Sequence, residues 1–279
     1  MKIYESIKAF QKPRKAIVAM GTFDGVHLGH RQLLRQLCKV AQEIGGEAIL
    51  VTFWPPPRLV LAHTQPVPTQ LLTTFDEKAA MLAQLGVDHL LRIQFTQAFS
   101  QLSAQDFVQQ VLIGQIGMKR LVVGYDHRFG KGRAGNIALL QEAGLHYGFT
   151  VIEVLPVMIE NVTVSSTKIR QLLLAGDVEK AQAYLGRPYE INGSMLQQDP
   201  SCKSSLNTHL VSTNSHKLIP ADGLYIVQVV HQDVVEEGML HVARKYDAPT
   251  MELTVPNCPN ATLHTPSLCI RFKKDLSQS

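Results

Sequence analysis

Along the first two thirds of the chain two hydrophobic patterns alternate. Short runs rich in Val, Ile and Leu, without clean polar alternation, occupy positions 16–20, 47–53, 89–93, 120–124 and 150–155. Such runs predict strands buried on both faces, as in a parallel sheet. Between them apolar positions recur every three or four residues. Leu33, Leu37, Val40 and Ile44 form one such stripe, which Gly45-Gly46 ends. Thr74-Phe75-Asp76-Glu77 reads as a capping box that opens a helix carrying Ala80, Leu82 and Leu85 and stopping at Gly86. Ser103-Ala104-Gln105-Asp106 opens a further helix through 107–113. Strand and helix in alternation predict an α/β, doubly wound parallel sheet with helices on both faces.

The texture changes near Pro188. Positions 192–216 are rich in Ser, Asn, Gln and Thr with little periodicity, and strand-like runs at 223–230, 238–243, 250–255 and 267–272 follow with no helix between them. A first domain over 1–188 and a small antiparallel domain over 189–279 are therefore expected.

Ligands of a doubly wound sheet bind beyond the carboxyl ends of its strands, where the strand order reverses. Three loops follow predicted strands there. The first is Gly21-Thr22-Phe23-Asp24-Gly25-Val26-His27-Leu28-Gly29-His30. A strand that enters a glycine-bearing turn and then an amphipathic helix is the layout of a phosphate site, because the helix mouth offers unpaired N–H groups and a positive dipole end to an anion. His27 and His30, three apart across Gly29, can converge on one bound group and donate hydrogen bonds to phosphate oxygens. The competing readings are ordinary loop and helix residues, or half of a metal site, for which zinc asks for a Cys or a further His that the local segment lacks.

The second loop, Tyr125-Asp126-His127-Arg128-Phe129-Gly130-Lys131-Gly132-Arg133-Ala134-Gly135, is glycine-rich and basic. Its N–H groups with Arg128, Lys131 and Arg133 can receive a phosphate while Phe129 offers a stacking face; the plainer reading is a solvated hairpin-like loop. In the third, Phe53-Trp54-Pro55-Pro56-Pro57-Arg58, the prolines predict a stiff, extended path able to wall a flat ring, or simply a rigid connection. Farther on, Val164-Ser165-Ser166-Thr167-Lys168-Ile169-Arg170 opens a helix. Ser or Thr there is ordinarily a cap, yet Lys168 and Arg170 in the first turn oppose the helix dipole unless an anion is bound.

Together these features point to nucleotidyl transfer. His27, His30 and one helix mouth would take a triphosphate, and the second helix start would take the leaving pyrophosphate. A phosphate monoester nucleophile, with a second pKa of about 6, is mostly ionised at neutral pH, so positioning and charge stabilisation carry the catalysis. Mg²⁺ is expected to bridge the phosphates. No Ser-His-Asp or Cys-His arrangement follows from the spacing.

Composition narrows the class without adding a site. Of 279 residues 45% are hydrophobic and 18% charged, a globular balance, and no apolar run reaches bilayer length. Charges interrupt the apolar runs of the N-terminus, so a cytoplasmic protein with no membrane partner is expected. The net charge is +4 with Lys and Arg scattered, which gives no nucleic-acid footprint. Cys38, Cys202, Cys258 and Cys269 form no Cys-x-x-Cys pair and are expected to be reduced. A homo-oligomer is compatible with these observations.

The words Gly21 to His30, Val51-Thr52-Phe53, Val123-Gly124 through Phe129-Gly130-Lys131-Gly132, and Ser165-Ser166-Thr167-Lys168-Ile169-Arg170 resemble, in this order, those of bacterial FAD synthetases. That family belongs to the nucleotidyltransferase superfamily named for its His-x-Gly-His sequence. The resemblance covers residues 14 to about 190 and implies a Rossmann-like nucleotidyltransferase domain that transfers AMP from ATP to FMN with release of pyrophosphate. It implies catalytic roles for His27, His30, Asp126 and Arg170. It also implies a nucleotide site of Gly21, Thr22, Phe23, Asp24, Gly29, Ser165, Ser166 and Thr167, and a flavin site of Phe53, Pro57, Arg58, Arg128 and Phe129. Two positions depart from the family: Trp54-Pro55-Pro56-Pro57 stands where Asp-Pro-His-Pro is usual, and His127 where an aromatic is usual.

The family continues into a small β-barrel riboflavin kinase, and 189–279 resembles a degenerate copy of it. Lys217-Leu218-Ile219-Pro220-Ala221-Asp222-Gly223-Leu224-Tyr225 matches a stretch downstream of the kinase's Pro-Thr-Ala-Asn signature, where this chain has Leu206-Asn207-Thr208-His209. The signature's Thr and Asn hold metal and phosphates, and Asn207 and His209 are poor substitutes. Glu252 aligns with the kinase's catalytic Glu. The expectation is an FAD synthetase whose kinase activity is lost. The alternatives are a bifunctional enzyme, another nucleotidyltransferase such as a cytidylyltransferase acting on a polar alcohol phosphate, and a non-catalytic flavin- or nucleotide-binding protein.

Overall fold

The computed structural model describes residues 1–61, 70–195, 208–231, 234–245, 248–255 and 268–276. It divides into two units, Met1–Val67 with Phe75–Val164, and Pro68–Thr74 with Ser165–Ser279. The first unit is built on a parallel sheet of β1 (Lys2–Tyr4), β2 (Ala16–Met20), β3 (Glu47–Trp54), β4 (His89–Gln94), β5 (Met118–Gly124) and β6 (Thr150–Val154), in the order β1-β4-β3-β2-β5-β6. A short hairpin, β7 (Met158–Ile159) with β8 (Val162–Thr163), follows. The five runs read from the sequence are all strands, the last of them, β6, at one edge of the sheet. The edge strand β1 went unread, because three residues are too few to set a period.

Strand β2 is buried along its whole length. Ala16, Val18 and Met20 enter one apolar cluster, while Ile17 and Ala19 enter the other. A strand that feeds two cores has no face left for polar residues, which explains the unbroken apolar run. The helices of this unit are α1 (Leu28–Ile44), α2 (Pro57–Leu61), α3 (Phe75–Gln84), α4 (Gln97–Ser100), α5 (Ala104–Asp106) and α6 (Ile137–Tyr147). Helix α5 is capped by the Ser103 hydroxyl, which accepts the Asp106 N–H at 3.0 Å, and runs on into wider π-type turns over Phe107–Ile116. One cluster takes Leu34 and Leu37 of α1 with Leu82 of α3; the other takes Val111 and Leu112 with Leu140 of α6. Helices thus cover both faces.

Strand β2 lies between β3 and β5. The chain leaves β2 through α1 toward β3, so the strand order reverses between β2 and β5, and the loops after β2, β3 and β5 open at one end of the sheet.

In the second unit α7 (Ser166–Leu174) and α8 (Val178–Leu185) precede β9 (Glu190–Met195), β10 (Thr208–Thr213), β11 (Gly223–His231), β12 (Val234–Lys245), β13 (Ala248–Thr254) and β14 (Leu268–Asp275). These strands form a closed antiparallel barrel in the order β10-β13-β12-β11-β14-β9. Tyr225, Val227 and Val229 alternate inward along β11. Strands β9 and β10 fall in the stretch expected to lack periodicity. A barrel strand needs only its inward residues apolar, and here Ile191 and Val211 are buried while Ser194 and Ser212 pair through their hydroxyls at 3.3 Å. The expected domain limit at 188/189 precedes the barrel strands, whereas the two units part at 164/165, with α7 and α8 grouped with the barrel. Cys202, Leu206, Asn207 and Cys258 lie outside the described residues.

Candidate active site

Between β2 and α1 the backbone turns left-handed at Phe23 (φ 47°), Gly25 (φ 85°) and Val26 (φ 40°). Glycine adopts such values freely, but a β-branched residue holds them only where its surroundings impose them. His27 caps α1: its Nδ1 accepts the His30 N–H at 3.3 Å, which leaves the ring proton on Nε2. The His27 and His30 rings stack with centroids 3.6 Å apart and 15° between planes, and Phe23 lies 4.8 Å from His30. Gly29 permits that approach, since a Cβ there would stand 3.3 Å from the His27 ring. The two rings thus lie face to face at the mouth of α1. The Nδ1 of His30 is buried and has no hydrogen-bond partner among the described residues. Burial, with His27 and Lys78 nearby, pushes the His30 pKa well below its ordinary 6.5, so the ring is neutral at pH 7.

Beneath this turn sits a residue that the sequence reading passed over. Lys78 of α3 is 3% exposed, and its Nζ donates to the Thr22 carbonyl at 3.1 Å and to the Thr52 hydroxyl of β3 at 3.0 Å. The ammonium also lies 5.7 Å from the Trp54 ring centroid and 5.8 Å from that of Phe75. Burial lowers its pKa from 10.5 to about 8, against the pull of Asp24. The available signal was its spacing of four from Leu82, which sets it on the buried stripe of α3. Asp24 is itself buried and faces Arg58 of α2 at 3.5 Å.

The proline loop departs from the extended path expected of it. Pro57 opens the helix α2, because proline fits a first helical turn, whose N–H would be unpaired anyway. Phe53 is half-buried and packs against Phe95 and Phe99, with centroids 5.8 and 5.9 Å away. In the loop after β5, Asp126 and Arg128 are exposed. His127 stacks on Phe129 (5.9 Å, 23°), and Phe129 in turn meets Phe107 at 5.8 Å. Burial drives the His127 pKa down to about 4, so this ring too is uncharged at neutral pH. Reciprocal backbone bonds between Phe129 and Gly135, at 3.2 and 2.9 Å, close the loop into a small ring. The first unit therefore gathers His27, His30, Thr22, Asp24, Phe53, Arg58, Asp126, Arg128 and Phe129 on loops and termini at the carboxyl end of its sheet.

Gly21, which follows β2, belongs to the first unit, and Ser165, Ser166, Thr167 and Arg170 to the second. Ser165 caps α7, its hydroxyl accepting the Lys168 N–H at 3.3 Å. Ser166 and Thr167 stand in the first turn, Thr167 exposed, and Arg170 Nε donates to the Gln70 carbonyl at 3.0 Å.

A family model described as FAD synthetase matches residues 9–168. The chain belongs to the FAD synthetase family. Among the relatives of this chain are proteins named bifunctional riboflavin kinase/FMN adenylyltransferase. That of Buchnera aphidicola from Schizaphis graminum is 35% identical over 82% of this chain and 73% of its own length. That of Escherichia coli is 35% identical over 79% and 70%, and that of Bacillus subtilis 31% over 90% and 78%. A Streptococcus pneumoniae structure described as a macrolide-efflux protein superposes with a TM-score of 0.88 at 25% identity, covering 98% of this chain and 90% of that one. The parallel sheet followed by an antiparallel barrel is thus a shared architecture, and the chain is a nucleotidyltransferase of FAD biosynthesis. Among the described residues no helix is long and apolar enough to cross a membrane.

Proposed function

We propose that the chain transfers AMP from ATP to the phosphate of FMN, forming FAD and releasing pyrophosphate, and that it has lost riboflavin kinase activity. The observation that supports the first half best is the turn between β2 and α1, which stacks two imidazoles at a helix mouth where the strand order reverses. In this reading an FMN phosphate oxygen, already ionised near neutral pH, attacks the α-phosphorus of ATP. The bond to the bridging oxygen breaks, and its electron pair leaves with pyrophosphate. His27 and His30 donate hydrogen bonds to the phosphates as charge builds, with the α1 dipole behind them. Ser166, Thr167 and Arg170 receive the pyrophosphate, while Phe53, Pro57, Arg58, Arg128 and Phe129 hold the flavin and Asp126 acts beside it. The transferase module would then run over 1–188 and the kinase relic over 189–279.

Mg²⁺ would be held largely by substrate phosphates and water, with the exposed Asp126 offering a carboxylate oxygen at the carboxyl end of β5. When bound, the ion would neutralise charge on the pyrophosphate.

Loss of the kinase is supported by the sequence where the kinase signature would stand, Leu206-Asn207-Thr208-His209 in place of Pro-Thr-Ala-Asn; Glu252, the counterpart of the kinase's catalytic Glu, is paired with His241 of the neighbouring barrel strand at 3.9 Å. The names of the relatives favour a second reading, in which this chain is also bifunctional. Purified protein with ATP and Mg²⁺, given riboflavin in one reaction and FMN in another, separates the two by chromatography. FAD from FMN alone is the expected result. Product from riboflavin as well would establish a working barrel, and no product from either, with folded protein, would overturn the adenylyl transfer reading.

A further inference from the structure

The turn between β2 and α1 holds two non-glycine residues, Phe23 and Val26, in left-handed backbone. Neither prefers it, so neighbouring structure must impose it. The atom gripped there is the carbonyl of Thr22, immediately before Phe23. It receives the Lys78 ammonium at 3.1 Å and the Thr52 hydroxyl at 3.5 Å, and Lys78 also donates to that same hydroxyl at 3.0 Å. Three elements, the turn, β3 and α3, therefore meet at one polar triangle in the interior. In a trans peptide the C=O and the following N–H point to opposite sides. A Thr22 carbonyl drawn toward Lys78 thus turns the Phe23 N–H away from it.

Stability alone does not explain a lysine here. A buried ammonium whose hydrogen bonds go to a carbonyl and a hydroxyl rather than a carboxylate is costly, and an apolar side chain of similar volume would commonly serve the fold as well or better. Asp24, whose charge acts on Lys78, faces Arg58 at 3.5 Å.

We propose that Lys78 is a positioning residue for nucleotidyl transfer: by bridging the Thr22 carbonyl and the Thr52 hydroxyl it holds the turn in the course that presents its N–H groups and histidines to a nucleotide phosphate. The inference rests on the nucleotide-site reading above. It concerns how the site is kept in shape, and Lys78 need not touch substrate.

The test uses the full chain and four variants, Lys78→Met, Lys78→Arg, Thr52→Val and the Lys78→Met/Thr52→Val double. Binding of a non-hydrolysable ATP analogue is measured by calorimetry, FAD formation by steady-state kinetics, and folding by thermal unfolding. Lys78→Met should unfold no earlier than wild type. It should lose on the order of 100-fold in kcat/KM for ATP, since small misplacements carry that penalty, with KM for FMN within about twofold. Thr52→Val should lose less, Lys78→Arg should regain part, and the double variant should be no worse than Lys78→Met, the mark of residues acting as one unit. A folded Lys78→Met that binds and turns over ATP within about twofold of wild type overturns the proposal, as does a double variant whose losses multiply. If Lys78→Met fails to fold, unchanged analogue binding by Thr52→Val overturns it instead. A wild type that binds the analogue but makes no FAD removes the acceptor assignment and leaves the binding arm to judge Lys78. A wild type that binds no nucleotide sinks both.

Discussion

Replacing Lys78 by methionine should change how stability depends on pH, by an amount that its setting fixes. The pKa of the buried ammonium falls from 10.5 to about 8. At about 1.4 kcal/mol per pH unit, this places a cost of about 3 kcal/mol on the folded state wherever folded and unfolded chains both carry the proton, that is, below pH 8. Between pH 8 and 10.5 the unfolded chain binds more protons at this site than the folded one, so the group's contribution to stability rises with pH. Above 10.5 neither state is charged there and the cost is gone. In Lys78→Met the group is absent. Its lost hydrogen bonds, about 1 kcal/mol each, shift stability by an amount that does not depend on pH, so the change in the difference between the two proteins isolates the titration. The assay is urea unfolding between pH 7 and 10 followed by tryptophan fluorescence. The chain has one tryptophan, Trp54, whose ring lies beside Lys78, so the signal reports the first unit and avoids mixing two transitions. Wild type should gain on Lys78→Met by roughly 2 kcal/mol over that range. A difference that stays flat to within about 0.5 kcal/mol would refute a buried, charged Lys78.

Two further predictions concern the loops. His27→Ala and His30→Ala should each cut the rate of FAD formation by about 10²-fold or more. His27→Ala should cost only about 1 kcal/mol of stability through the lost cap, and turnover equal to wild type in either folded variant would remove that residue from the mechanism. Gly135→Ala places a Cβ 2.7 Å from the Phe129 ring and 2.9 Å from the Ala104 side chain. Phe129 must shift, so KM for FMN should rise several-fold while KM for ATP holds; a parallel rise in both would show that the loop is not specific to the flavin.

The parts of this fold legible in the sequence are those where one physical requirement governs a run of residues. Strand β2 feeds two cores, so its five residues are all apolar, and its boundaries were read correctly. Helix α1 shows its stripe and its stop at Gly45 for the same reason. Strands β9 and β10 went unread because a barrel asks little of each strand beyond an inward Ile191 or Val211. The histidine turn was legible as a word, but its support was not. Lys78 and Thr52 lie far apart in sequence, and each passes locally for an ordinary helix or strand residue. Only the packing of α3 against β3 makes them a pair.

At pH 7 the imidazole of His30 is uncharged, and the cation at the floor of the turn is Lys78, held to the carbonyl before Phe23. For the proposed reaction this division has a consequence. Neutral donors placed in advance gain most as charge moves onto the departing oxygen. A buried cation that fixes their backbone adds order without competing for the phosphates. The left-handed Phe23 and Val26, the caging of Lys78 by Thr22 and Thr52, and the capping of α1 by His27 then serve one end: the donors stand in place before the nucleotide arrives, and no reorganisation is left for the step that breaks the bond to pyrophosphate.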